Sequence, residues 1–109
     1  MKKILLISLS TVIIAITSVY CEDAKTIFEN KCASCHGKDG KGQTKLGQKL
    51  EVRDFTDPKV QESMKEEEIF KAIKEGIKVG DEVKMKGFGD KLKDDDIKAL
   101  VAYIRFLKK

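Results

Sequence analysis

Cys32, Cys35 and His36, in the run Cys32-Ala33-Ser34-Cys35-His36, are the residues of this chain whose types and spacing could do chemistry. Two thiols three residues apart fall on one face of a helical turn, so both can react with one flat partner. C-x-x-C-H is the pattern through which a c-type haem is attached. Each thiol adds to a vinyl group as a thioether, and the adjoining imidazole falls beneath the iron as a fixed axial ligand. Three other chemistries use parts of the same set. A zinc site could draw on Cys21, Cys32, Cys35 and His36, but adjacent Cys35 and His36 would have to share one small tetrahedron. A thioredoxin-like redox pair belongs in a βαβ setting, and no strand-rich run precedes Cys32. A disulfide between Cys32 and Cys35 would leave His36 without a role. Haem attachment uses all three residues and meets none of these difficulties.

The elements that must hold this set in place read as helices. A first helix is expected from about Asp23 to Cys35, with Asp23 as N-cap and Ala24, Ile27, Phe28 and Cys32 recurring at helical spacing. Gly37, Gly40, Gly42 and Gly47 then read as a loop passing close to something flat. Ser63-Met64-Lys65-Glu66 is a capping box that opens a second helix, with Ile69, Phe70 and Ile73 on its buried face and Gly76 at its end. Pro58 rules out a helix through Asp57. Gly80 to Gly89 is another loop, and it carries Met85. The last helix is expected over Asp94 to Leu107, where Ile97, Leu100, Val101, Ile104 and Leu107 form one apolar stripe. Its acidic start and the closing Lys108-Lys109 suit the helix dipole. No repeat appears and no strand is convincing, so the fold class is all-α: three to four helices with long loops. Loops of that kind usually need a ligand to order them.

Residues 1–21 have the layout of a secretory signal peptide or an uncleaved anchor. Met1-Lys2-Lys3 is basic, Ile4 to Ile16 is mostly apolar, and Val19-Tyr20-Cys21 offers a cleavage site. The apolar run is short for a membrane span, which takes about 20 residues. Lipidation of Cys21 is disfavoured by the bulk of Tyr20 before it. Without residues 1–21 the 109-residue chain would leave an 88-residue domain, 22–109. A domain so small often leans on a cofactor for its core, and a covalently held haem would serve as one.

Charge excludes one class of function. The chain has 22 basic and 18 acidic residues, and loss of Lys2 and Lys3 would leave 20 against 18. All but Arg53 and Arg105 of the basic residues are Lys, a poor inventory for clamping phosphates or reading bases, so nucleic acid is not an expected partner. The distribution is uneven. Lys38, Lys41, Lys45 and Lys49 face only Asp39 between His36 and Leu50, and five Lys meet three acids between Lys78 and Lys93. Glu51 to Glu75 runs the other way, with eight acids against five bases. Two Lys-rich loops around one edge would steer an acidic partner toward it.

With these residues in view, the chain resembles the class I cytochromes c of the small bacterial, single-haem kind, across essentially all of residues 22–109. The resemblance is carried by the C-x-x-C-H ending the first helix and by His36-Gly37-Lys38-Asp39-Gly40-Lys41-Gly42. It is carried also by Met85-Lys86-Gly87-Phe88-Gly89-Asp90-Lys91-Leu92 and by Ile97 to Arg105. It implies the small cytochrome c fold wrapped around one covalent haem c, with first and last helices crossing at Ala24, Phe28, Leu100 and Tyr103. It implies that Cys32 and Cys35 hold the haem, and that His36 and Met85 are the axial metal ligands. Chemistry agrees with Met85: a thioether is a soft donor that favours the ferrous state. Met64, in the charged capping box, is expected at the surface or a core edge. Three departures from the family pattern stand out: Lys86 replaces the Pro after the ligand Met, Gly47-Gln48 replaces Gly-Pro, and Lys93 stands where a Ser or Thr cap is usual. The Gln48 carbonyl is expected to orient His36, and Asp94 to take over the cap.

The implied function is a one-electron carrier, not an enzyme, exported to the periplasm and monomeric. It would meet exported or membrane-bound redox partner proteins in transient, electrostatically guided complexes, and residues 1–21, if retained, would associate it with the membrane. The alternative is a gas-binding or sensor cytochrome with an open or labile sixth site, supported by the loose Met85-Lys86 pairing. A haem peroxidase would need a distal acid–base residue, and His36 is the only His in the chain.

Overall fold

Helix formation begins upstream of the expected cap. The computed structural model describes residues 19–109, and the expected signal peptide lies outside the described residues except for Val19 to Cys21. The first helix, α1, spans Val19–Ile27, so Asp23 lies inside it rather than capping it. No Gly or Pro interrupts Val19 to Ile27, and nothing there stops the helix from starting early. At Phe28–Cys32 the helix widens to a π-type turn, in which the Ala33 N–H donates to the Phe28 carbonyl. Such wide turns cluster at functional sites. This one sets the following short helix, α2 (Ala33–His36), apart from the stripe that packs on the core.

Two short helices were not legible in the sequence. α3 spans Lys45–Leu50 and is capped by Thr44, whose hydroxyl accepts from the Gly47 N–H. α4 spans Pro58–Ser63, with the Asp57 side chain accepting from Lys59 N–H as N-cap. Pro58 therefore starts a helix, as its fixed φ and missing N–H allow. The capping box at Ser63 does not form. Ser63 ends α4 and its hydroxyl donates to the Val60 carbonyl at 2.7 Å. α5 (Glu66–Glu75) starts from Lys65 without a side-chain cap and ends, as expected, on Gly76 at φ +82°.

The Met85 loop is a β-hairpin, which corrects the expectation of no strand. β1 (Gly76–Val79) pairs antiparallel with β2 (Glu82–Lys86), aligning Ile77 with Met85 and Val79 with Glu82, with a bulge after Ile77. The alternation Ile77, Val79 and Val83, Met85 around the Gly80-Asp81 turn is a hairpin signature, in strands too short to stand out. The tip is uncovered, with Val79 63% exposed.

α6 spans Asp94–Phe106. Its cap comes from Asp96, whose carboxylate accepts from the Lys93 N–H at 3.1 Å, rather than from Asp94. The core lies where α1 crosses α6. Ala24, fully buried, lets the backbones approach, and Phe28 packs beside Ile97 and Leu100. The Phe28 and Tyr103 rings meet at 5.2 Å and 55°. Ile69 and Ile73 of α5 complete the cluster. The described residues thus form a mostly helical fold with one added hairpin. No helix among them is long and apolar enough to cross a membrane.

Candidate cofactor site

A cavity of about 620 Å³ opens between α2, the segment after α3, α5 and the hairpin. That volume is within the range of cofactor pockets, about 300–1,000 Å³. His36, Phe55, Met64, Ile73, Met85 and Ile104 are on its walls. The fold therefore brings His36 and Met85, from the first and last thirds of the chain, to one site. It also brings Met64, which is buried on the cavity wall rather than at the surface. Cys32 and Cys35 are free, half-buried thiols on the turn that leads into His36. Neither lines the cavity, and Cys32 packs against the core.

The last turn of α2 is pinned by the loop that follows it. The Gly42 N–H donates to the His36 carbonyl at 2.7 Å, and the Thr44 hydroxyl donates to the Cys35 carbonyl at 2.6 Å. The same hydroxyl accepts from Gly47 N–H at 2.8 Å. Gly47 has to be glycine, because a Cβ there would lie 2.1 Å from the Cys35 carbonyl oxygen. Thr44 is a positioning residue that sequence reasoning missed; its only signal was a Thr three residues before a Gly, as at a helix N-cap. Thr44→Val keeps the shape and removes both bonds. We expect a loss of about 1–2 kcal/mol in chemical denaturation, and an unchanged midpoint would show that the hydroxyl holds nothing.

Burial tunes the chemistry of the set. The His36 imidazole is pushed down from 6.5 to about 4 by desolvation, so at neutral pH it is uncharged and its lone pair is free for a metal. Burial, and secondarily Cys35, pushes the Cys32 thiol up to about 11. A thiol so raised is not the ready thiolate of a dithiol redox pair. His36 stacks on Phe55, with centroids 4.6 Å apart and planes 22° from parallel. Its Nδ1 is buried and has no hydrogen-bond partner. The Gln48 carbonyl, expected to hold it, instead accepts from the Glu51 N–H at 3.3 Å. Replacing Pro with Gln at this position lets α3 continue through it, and that carbonyl is used inside the turn.

Charge at the rim is one-sided among the Lys-rich loops. Lys78 and Lys84 of the hairpin line the cavity, with Arg53 and Lys71. Lys38, Lys41, Lys45 and Lys49 do not, so the two loops do not frame the same opening. Glu51 and Glu68 temper the positive charge. Among the described residues no group of three or more His, Cys, Asp or Glu comes together as a metal site.

A helical fold around an apolar cavity, with an imidazole and thioethers on its walls and a C-x-x-C-H at its edge, defines a class I cytochrome c. Residues 21–104 match the family model for cytochrome c oxidase, cbb3-type, subunit III, and the chain belongs to that family. Solved structures agree. The KustC0563 c-type cytochrome is 37% identical, with a TM-score of 0.71 over 80% of this chain and 99% of that one. A Tyr-to-Phe mutant of Kustc0563 aligns with a TM-score of 0.67 at 36% identity, over 79% of this chain and 99% of that one. No curated protein matches. The cofactor is a covalently bound haem c with its iron, and the role is haem-based electron transfer. The residues present fit that group: the cavity has the size and apolar lining, an uncharged imidazole and two thioethers are on its walls, and both free thiols lie on the turn that leads into His36.

Proposed function

We propose that the chain is a one-electron carrier between exported or membrane-bound redox proteins, with Cys32 and Cys35 holding the haem and His36 and Met85 as axial ligands. The observation that carries this reading is the convergence of His36 and Met85 on one cavity. When bound, the haem iron supplies a ferric–ferrous couple. The neutral His36 imidazole and the Met85 thioether are both uncharged donors, so the same pair suits both oxidation states and little has to move. The apolar walls keep water from the centre, which favours the less charged reduced form. Lys78 and Lys84 at the rim give the opening a positive border suited to an acidic partner in a weak, transient complex. Residues 1–21 support delivery to the periplasm, and the 22–109 domain acts as a monomer.

The visible spectrum of the haem-loaded protein, oxidised and reduced, with and without carbon monoxide, tests this reading. The expected result is a sharp low-spin reduced spectrum, a weak far-red iron–sulfur band when oxidised, and indifference to carbon monoxide. A high-spin spectrum that shifts with carbon monoxide would overturn the carrier in favour of a sensor with an open sixth site.

A further inference from the structure

Behind the cavity wall lies a polar junction that the ligand set does not use. Gln61 is only 3% exposed. Its Nε2 donates to the Phe55 carbonyl at 2.6 Å and to the Ile104 carbonyl at 2.8 Å. Arg105 Nη1 donates to the Gln61 carbonyl at 2.5 Å and to Gln61 Oε1 at 3.1 Å. Arg105 Nη2 donates to the Met64 carbonyl. Phe55, Met64 and Ile104, whose carbonyls these two side chains hold, all line the cavity. A buried amide and a part-buried guanidinium with this many satisfied bonds fix the position of the backbone whose carbonyls they hold.

One of the three held residues touches the candidate iron ligand. The Phe55 ring lies 4.6 Å from the His36 ring, within 22° of parallel, and His36 Nδ1 has no hydrogen-bond partner. A ligating His almost always donates its second N–H to a carbonyl or carboxylate, which sets the orientation of its ring. That device is absent at His36, and a flat ring occupies one face of the imidazole instead. Rotation of the imidazole about its Cβ–Cγ bond would drive its edge into the Phe55 face.

We propose that Gln61 and Arg105 position the His36 imidazole through Phe55, with ring stacking in place of the usual hydrogen bond to Nδ1. The proposal rests on the reading of His36 as an axial ligand. Arg105 is the anchor, Gln61 the link to the Phe55 backbone, and Phe55 the contact. Loosening any of the three frees the imidazole to rotate and lets water closer to the iron, which favours the oxidised state.

The test is a double-mutant cycle on the haem-loaded protein, read by reduction potential and by the line width of the ferric low-spin electron paramagnetic resonance signal. Phe55→Leu and Gln61→Met are each expected to lower the reduced-to-oxidised ratio at a fixed potential by up to about tenfold, which is about 59 mV for one electron. Both should broaden the resonance as imidazole orientations spread. In the Phe55→Leu background, Gln61→Met should add almost nothing, because its effect passes through the missing ring. Val101→Ala, in the core but not on the cavity, should lower the melting temperature and leave potential and line width unchanged. Should Gln61→Met not fold, Arg105→Lys, which keeps the charge and loses the forked geometry, carries the same cycle. Additive shifts in the double variant, or shifts no larger than those of Val101→Ala, would overturn the proposal. A wild-type protein without haem, or with His36 off the iron, would instead sink the functional reading beneath it.

Discussion

Met85→Ala is expected to lower the reduction potential by an amount on the order of hundreds of millivolts, since axial ligands set potentials across a range of about 0.8 V. The same substitution should abolish the far-red iron–sulfur band and let carbon monoxide bind the ferrous protein. The reason lies in the proposed ligation by Met85: a thioether stabilises the ferrous state, and alanine would leave that coordination position to water. Met85 is half-buried in β2, opposite Ile77 across the hairpin, so the truncation costs less packing than a core methionine would. Met64 supplies the control within the same cavity. It is 8% exposed and its carbonyl is tied to Arg105. Met64→Ala should therefore cost roughly 2–5 kcal/mol as a core truncation while keeping the far-red band. Loss of the band in Met64→Ala and its survival in Met85→Ala would exchange the two assignments.

Phe28→Ala should produce the largest loss of stability, about 3–5 kcal/mol for a buried aromatic. Phe28 is 1% exposed and sits where α1 crosses α6, its ring against Tyr103 at 5.2 Å. Domains are stable by only about 5–15 kcal/mol in total, so this one truncation removes a large part of the margin. The effect should reach the site, because Phe28 opens the wide turn that ends at Cys32 and its ring lies 6.4 Å from that of His36. The midpoint of chemical denaturation, followed by helical circular dichroism, measures it. Phe106, on α6, offers the contrast. It is 78% exposed, and Phe106→Ala should stay within about 0.5 kcal/mol. Equal losses for the two would mean that the α1–α6 crossing is not what holds the domain together.

The long elements were legible because their periodicity extends over several turns. Ile97, Leu100, Val101 and Ile104 repeat through α6, and all four are buried. Ala24 in α1 and Phe28 at the start of the wide turn after it mark the matching face. The short elements were not legible. α3 and α4 have six residues each, fewer than two turns, and helices of that length form only when tertiary contacts support them. The hairpin strands are shorter still. The Ser63 capping box failed because a neighbouring helix claimed the serine: its hydroxyl closes α4 instead of opening α5.

By itself the sequence determined the local chemistry: two thiols and an imidazole within five residues, close enough along the chain to serve one partner. It also determined the family, through motifs at both ends of the domain. Only the tertiary structure decided what surrounds that imidazole. Spacing along the chain carries no information about which distant side chains share a cavity, so the joint presence of Met64 and Met85 in one cavity had to come from the packing of the helices and the hairpin. The same holds for the orphaned Nδ1 of His36 and the Phe55 ring beside it. A carbonyl at Gln48 was available in the sequence, but the direction in which a backbone group points is set by the turn it belongs to, and that turn used it elsewhere.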